Sequence, residues 1–100
     1  MEINGKKVVL KYGLRAMFAW EEMVGKPFEI NTLMDTYCLF YSCIIANQEN
    51  PSIDFNEFID SCDQNPGLIE EFNEYLSQEM KKREVTAPKK KAVRTRKNFQ

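Results

Sequence analysis

The stretch LMDTYCLFYSCII, residues 33–45, constrains this chain more than any other. At helical spacing, Leu33, Tyr37, Phe40, Tyr41 and Ile44 form one apolar stripe, while Met34, Cys38 and Ile45 form a second beside it. A helix apolar on most sides is a central helix covered by several neighbours, or one with a face reserved for another chain. Thr32-x-x-Asp35 reads as the capping box that opens it. The most apolar run, 37–46, is far shorter than the roughly 20 residues that cross a bilayer. The expectation is a cytoplasmic protein with no membrane contact, and MEINGKK at the start lacks the apolar core of a secretory signal.

The segments around this helix predict a mainly α fold. A short N-terminal β-hairpin comes first, then a compact bundle of about four helices over residues 1–84. Asn4-Gly5 suits a type I′ turn, with Val8, Leu10 and Tyr12 alternating beyond it. Leu14 to Val24 predicts a first helix, capped by Gly13 and stopped by Gly25 and Pro27, with Leu14, Met17, Phe18 and Glu21 on one face. Trp20, Met23 and Val24 extend its apolar surface. A short third helix runs from Phe55 to about Cys62, with Phe55, Phe58, Ile59 and Cys62 inward. Asn65-Pro66 opens the fourth, whose packed side carries Leu68, Ile69, Phe72, Tyr75, Leu76 and Met80.

Residues 52–63, SIDFNEFIDSCD, look at first like the end of a calcium loop. Setting Glu57 as the twelfth position puts Ala46 at the first and Pro51 at the sixth, where a carboxylate and a glycine are required. The residues are better explained as a helix start, with Asp54 as N-cap and Glu57 as its reciprocal partner.

Catalytic chemistry has little to work with. The chain has no histidine and four scattered glycines, so the commonest general base and a phosphate-cradling loop are both missing. Cys38, Cys43 and Cys62 contain no CxxC and lie in apolar-patterned stretches, which predicts reduced core thiols. The expectation is a protein that is not an enzyme and needs no cofactor or metal.

Two features exceed what folding requires. Met17, Trp20, Met23, Phe28, Tyr37, Tyr41, Cys43 and Ile45 look too many for so small a bundle to bury. Met17, Trp20, Met23, Tyr37, Tyr41 and Ile45 are the candidates for a protein-binding surface, whether for a partner helix or a second copy of the chain. The charge is also split. Residues 1–84 hold all 15 acids and 8 bases, a net of −7, whereas residues 85–100 hold six bases and no acid. Those bases are Lys89, Lys90, Lys91, Arg94, Arg96 and Lys97. A segment this polar and single-signed is expected to be a disordered tail, able to contact nucleic acid or an acidic surface.

The order of elements adds something more specific. The opening INGKKVVLKYGLRAMFAWEEMVGKPF, the apolar helix and FNEFIDSCDQNPGLIEEFNEYL together resemble the small tail assembly chaperones of long-tailed bacteriophages and prophages. The similarity covers residues 1 to about 84. It implies a non-enzymatic role, often as an oligomer in the bacterial cytoplasm. Such proteins coat the long hydrophobic tape-measure protein and recruit tail-tube subunits. In many members a longer form arises by frameshifting near the end of the short one, and Lys89-Lys90-Lys91 is where slippery adenine-rich codons would lie. The competing reading is a small nucleic-acid-associated protein that binds through the basic tail.

Overall fold

The structure, a computed structural model, describes the backbone of residues 1–86 and side chains through residue 82. The basic residues Lys89, Lys90, Lys91, Arg94, Arg96 and Lys97, and the expected tail as a whole, lie outside the described residues.

The chain is mainly helical, as its periodicity predicts. Strands β1 (Glu2–Ile3) and β2 (Lys6–Lys7) form the hairpin, followed by α1 (Leu14–Val24), α2 (Leu33–Ile45), α3 (Phe55–Gln64) and α4 (Gly67–Thr86). The strands pair antiparallel, Glu2 opposite Lys7 and Ile3 opposite Lys6. Asn4 and Gly5 both take positive φ, 53° and 77°, as a type I′ turn demands. So small a ribbon needs support. It gains this by burying Ile3 and packing β1 against α3.

Residues 8–12 belong to neither strand, although Val8 continues the hairpin by donating its N–H to the Met1 carbonyl (2.9 Å). Their alternation survives as burial, with Val8 and Tyr12 inside and Val9 and Lys11 outside. Helix and loop groups supply the backbone partners that a strand would otherwise give. Val9 N–H donates to Asn50 Oδ1 (2.8 Å), and the Val9 carbonyl accepts from Asn50 Nδ2 (2.9 Å). Lys11 N–H donates to the Cys43 carbonyl (3.0 Å), which the end of α2 leaves available because Asn47 N–H turns back to Ile44. Tyr12 N–H donates to the Tyr75 hydroxyl (2.8 Å).

The core is built around α2, which buries Cys38, Leu39, Phe40, Ser42, Cys43 and Ile44. Phe40 is its centre. It stacks on Phe72 of α4 (centroids 4.6 Å, planes 5° apart) and meets Phe58 of α3 edge-on (4.9 Å, 84°). Such pairs contribute roughly 0.5–1.5 kcal/mol beyond area burial.

Both anticipated capping boxes are present. Asp35 N–H donates to Thr32 Oγ1 (3.1 Å) while Asp35 Oδ2 accepts from Thr32 N–H (3.1 Å). Glu57 N–H donates to Asp54 Oδ1 (2.7 Å), and Asp54 N–H to Glu57 Oε1 (3.4 Å). Asn65 joins α3 to α4: its N–H closes on Ser61 and its Oδ1 accepts from Gly67 N–H (3.2 Å).

Two expected faces are corrected. In α1 the buried residues are Ala16 and Trp20, whereas Leu14 and Phe18 point outward at 67% and 62% exposure. Ala16 is wholly buried, and Trp20 enters because Asp35 offers a carbonyl to its indole N–H (3.0 Å). In α4, Met80 is exposed, because the side chains packed against the core end with Leu76.

Candidate protein-binding surface

The six candidates from the sequence do not fall on one surface. Trp20 is wholly buried. Its indole is bonded to Asp35, meets Phe28 edge-on (5.2 Å, 86°) and has Lys26 Nζ 6.0 Å from the ring centroid. It joins α1 to α2, so the expectation that it faces a partner is withdrawn. Met17 packs half-buried against the core. Tyr37 and Tyr41 are also half-buried, and Tyr41 is tethered by its hydroxyl to the Ile53 carbonyl (2.7 Å). Burial raises the pKa of both tyrosines. Met23 and Ile45 are exposed. Of the wider apolar set, Cys43 is buried and Phe28 half-buried.

Apolar surface is nonetheless left over. Val9, Leu14, Phe18, Met23, Ile30, Leu33, Met34, Ile45 and Met80 are all substantially exposed. On α2 the exposed Met34 (63%) and Ile45 (42%) are eleven positions apart, about three helical turns, with Tyr41 between them on the same side. Met34 and Ile45 come from the second stripe that the sequence shows, and Tyr41 from the edge of the main one. Cys38 belongs to that second stripe by position but is buried, which narrows it. At its C-terminal end a shallow cleft of about 200 Å³ opens between Tyr41, Ile45, Asn47, Pro51 and Ile53. On α1, Leu14 and Phe18 form a separate exposed pair one turn apart. Their spacing is visible in the sequence, but an apolar i, i+4 pair looks the same whether it faces a core or solvent.

The charged groups serve architecture. Asp35 Oδ2 accepts from Asn31 N–H (2.9 Å) and Thr32 N–H, and Lys26 Nζ lies 3.7 Å away. These amide bonds, that of Asn31 foremost, outweigh desolvation and lower the Asp35 pKa. Glu57 accepts from Asn4 Nδ2 (2.6 Å) and pairs with Lys6 Nζ (3.0 Å), tying the hairpin to the first turn of α3. Its pKa is lowered, chiefly by Asn4 and then Lys6. The residues that resemble a calcium loop thus hold two elements together. Burial pushes the Cys43 thiol up to about 12 and that of Cys62 to about 11, well away from the thiolate a nucleophile needs.

Among the described residues no group of three or more His, Cys, Asp or Glu is placed to hold a metal ion, and no helix is long and apolar enough to cross a membrane. Compared with known proteins, the chain matches no family model, no curated sequence and no solved structure.

Proposed function

We propose that this protein is a non-enzymatic chaperone that binds amphipathic helices of a long tape-measure-like partner during assembly of a phage-type tail, and then recruits tail-tube subunits. The observation that carries the reading is the stripe of Met34, Tyr41 and Ile45 on the outer side of the central helix. An amphipathic helix docks by anchors at i, i+3, i+4 and i+7 along such a stripe, and methionine and tyrosine adapt to varied partners at modest cost. The half-buried tyrosine supplies a rigid wall, and the cleft beyond Ile45 receives a terminal anchor. An acidic body carrying this apolar stripe suits a partner that would otherwise aggregate.

The test is coexpression of the full chain with a long helical tape-measure protein, followed by copurification. Replacing Met34 and Ile45 with glutamate is expected to abolish capture while leaving the far-ultraviolet circular dichroism unchanged. Capture that survives both replacements would sink this assignment of the face.

The basic segment supports a second reading, nucleic-acid contact through Lys89, Lys90, Lys91, Arg94, Arg96 and Lys97. Deleting residues 85–100 separates the two: the chaperone reading retains partner binding, whereas its rival loses all binding. Engagement of duplex DNA by all six charges would give a log–log salt slope near roughly −5.

A further inference from the structure

The tip of the hairpin carries a reactive pair. Asn4 precedes Gly5, and no other asparagine of the chain is followed by glycine. In such a pair the glycine main-chain nitrogen can attack Cγ of the asparagine side chain, because glycine has no Cβ to obstruct the approach. The C–N bond of the side-chain amide then breaks, ammonia leaves, and a five-membered succinimide remains. Water opens that ring at either carbonyl, giving aspartate or the β-linked isoaspartate. Nothing is oxidised or reduced, and solvent water is the sole co-reactant.

The fold leaves the nucleophile accessible. Asn4 and Gly5 are both exposed, and a Cβ built on Gly5 would meet no atom within 4 Å. Among the described residues Gly5 N–H has no hydrogen-bond partner. The side-chain amide, by contrast, is held. Asn4 Nδ2 donates to Glu57 Oε2 at 2.6 Å. The left-handed backbone of the type I′ turn, φ 53° at Asn4, also differs from that of the closed ring. Ring closure must break the first and unwind the second.

The same contact decides what the product does. A carboxylate at position 4 has no donor to offer Glu57 Oε2. It also enters the hollow outlined by Asn4, Asp54, Glu57, Asp60, Ser61 and Gln64, among three acids. Lys6, the base beside it, is already shared between Glu57 (3.0 Å) and the Ser52 carbonyl (3.1 Å). Isoaspartate does more, since its β-linkage adds one carbon to the main chain. A two-residue turn fixes the Ile3–Lys6 register and has no place for that atom.

We propose that Asn4 is a self-modifying site: ring closure on Gly5 converts its amide to a carboxylate and unties the hairpin from α3, and Glu57 holds this reaction back in the native chain. The hairpin packs on α3 and buries Ile3. Its release therefore uncovers an apolar side chain, and refolding cannot reverse the covalent change. The inference does not depend on the proposed function.

Incubation of the full chain at pH 8 and 37 °C tests it. Peptide mass spectrometry follows every asparagine, and an isoaspartate-specific methyltransferase scores the β-linked product. Asn4 is expected to convert ahead of all the others, and roughly fivefold faster in Glu57→Gln, where the charge-assisted bond is weakened. Circular dichroism checks that this variant keeps its helices. Gly25→Ala, which destabilises the fold far along the chain from Asn4, is expected to leave the rate unchanged. The converted chain separates on anion exchange by its added negative charge. It is expected to lose hydrogen-exchange protection at the Val8 amide, which bonds the Met1 carbonyl across the hairpin (2.9 Å). Conversion led by another asparagine overturns the proposal. So does a rate indifferent to Glu57→Gln or raised equally by Gly25→Ala, and so does a converted chain whose Val8 amide stays protected.

Discussion

Trp20 of α1 donates its indole N–H to the main-chain carbonyl of Asp35 in the first turn of α2, at 3.0 Å and out of contact with water. The carboxylate of the same Asp35 caps the start of that helix. One residue therefore orders α2 at its beginning and fastens α1 across it. Trp20→Phe removes the donor, strands the carbonyl and leaves a small void, for a loss of about 2 kcal/mol in urea unfolding followed by circular dichroism. In the native chain, Trp20 emission is expected to be blue-shifted and poorly quenched by acrylamide.

Acid should weaken the fold through two carboxylates. Asp35 and Glu57 titrate below their ordinary values of 3.8 and 4.5 because the native state holds their charged forms. A depressed native pKa contributes stability that is complete above the unfolded value and is lost as pH falls through the native one. Thermal unfolding midpoints should hold steady down to about pH 5 and decline below it. Asp35→Asn and Glu57→Gln are each expected to lower the neutral-pH midpoint and flatten that decline.

Asn50 ties the segment after the hairpin to α2 with three contacts, to Val9 N–H, to the Val9 carbonyl and to the Ile44 carbonyl. Asn50→Ala is expected to cost about 2 kcal/mol. Asn50→Asp should be no better, since a carboxylate has no donor for the two carbonyls. Hydrogen exchange at the Val9 amide provides the local readout, with protection lost in both variants.

Gly25 ends α1 at φ +83°, and a methyl group added there meets no atom within 4 Å. The cost of Gly25→Ala is then almost wholly backbone strain, about 1–2 kcal/mol. Gly25→Asn, whose side chain tolerates the left-handed region, should lose distinctly less. Denaturant midpoints of the two variants give the comparison.

All three cysteines are buried thiols, and burial raises each pKa, to about 12 for Cys43 and about 11 for Cys62. An aromatic disulfide reagent at pH 8 should therefore label the folded protein slowly, with Cys43 last. In denaturant all three should react at once.

Much of this architecture follows from local rules. A capping box is made by residues three apart, and a type I′ turn by the two residues that tolerate positive φ. Thr32 with Asp35, Asp54 with Glu57, and Asn4 with Gly5 are therefore recognisable in the chain and are found as such. The all-round apolarity of residues 33–45 likewise marks the helix that becomes the centre. Which side of α1 turns inward is decided at longer range. Leu14, Met17 and Phe18 make the more hydrophobic stripe, yet Ala16 and Trp20 are buried. Periodicity counts apolar groups on a face. It cannot register that a carbonyl fifteen residues away satisfies the Trp20 N–H. That one rotation of α1 takes Trp20 into the core and turns Phe18 to solvent. The sequence by itself determined the elements, their caps and an excess of apolar side chains; tertiary packing alone decided which of them reach the surface, because burial depends on what each side chain meets across the helix interface.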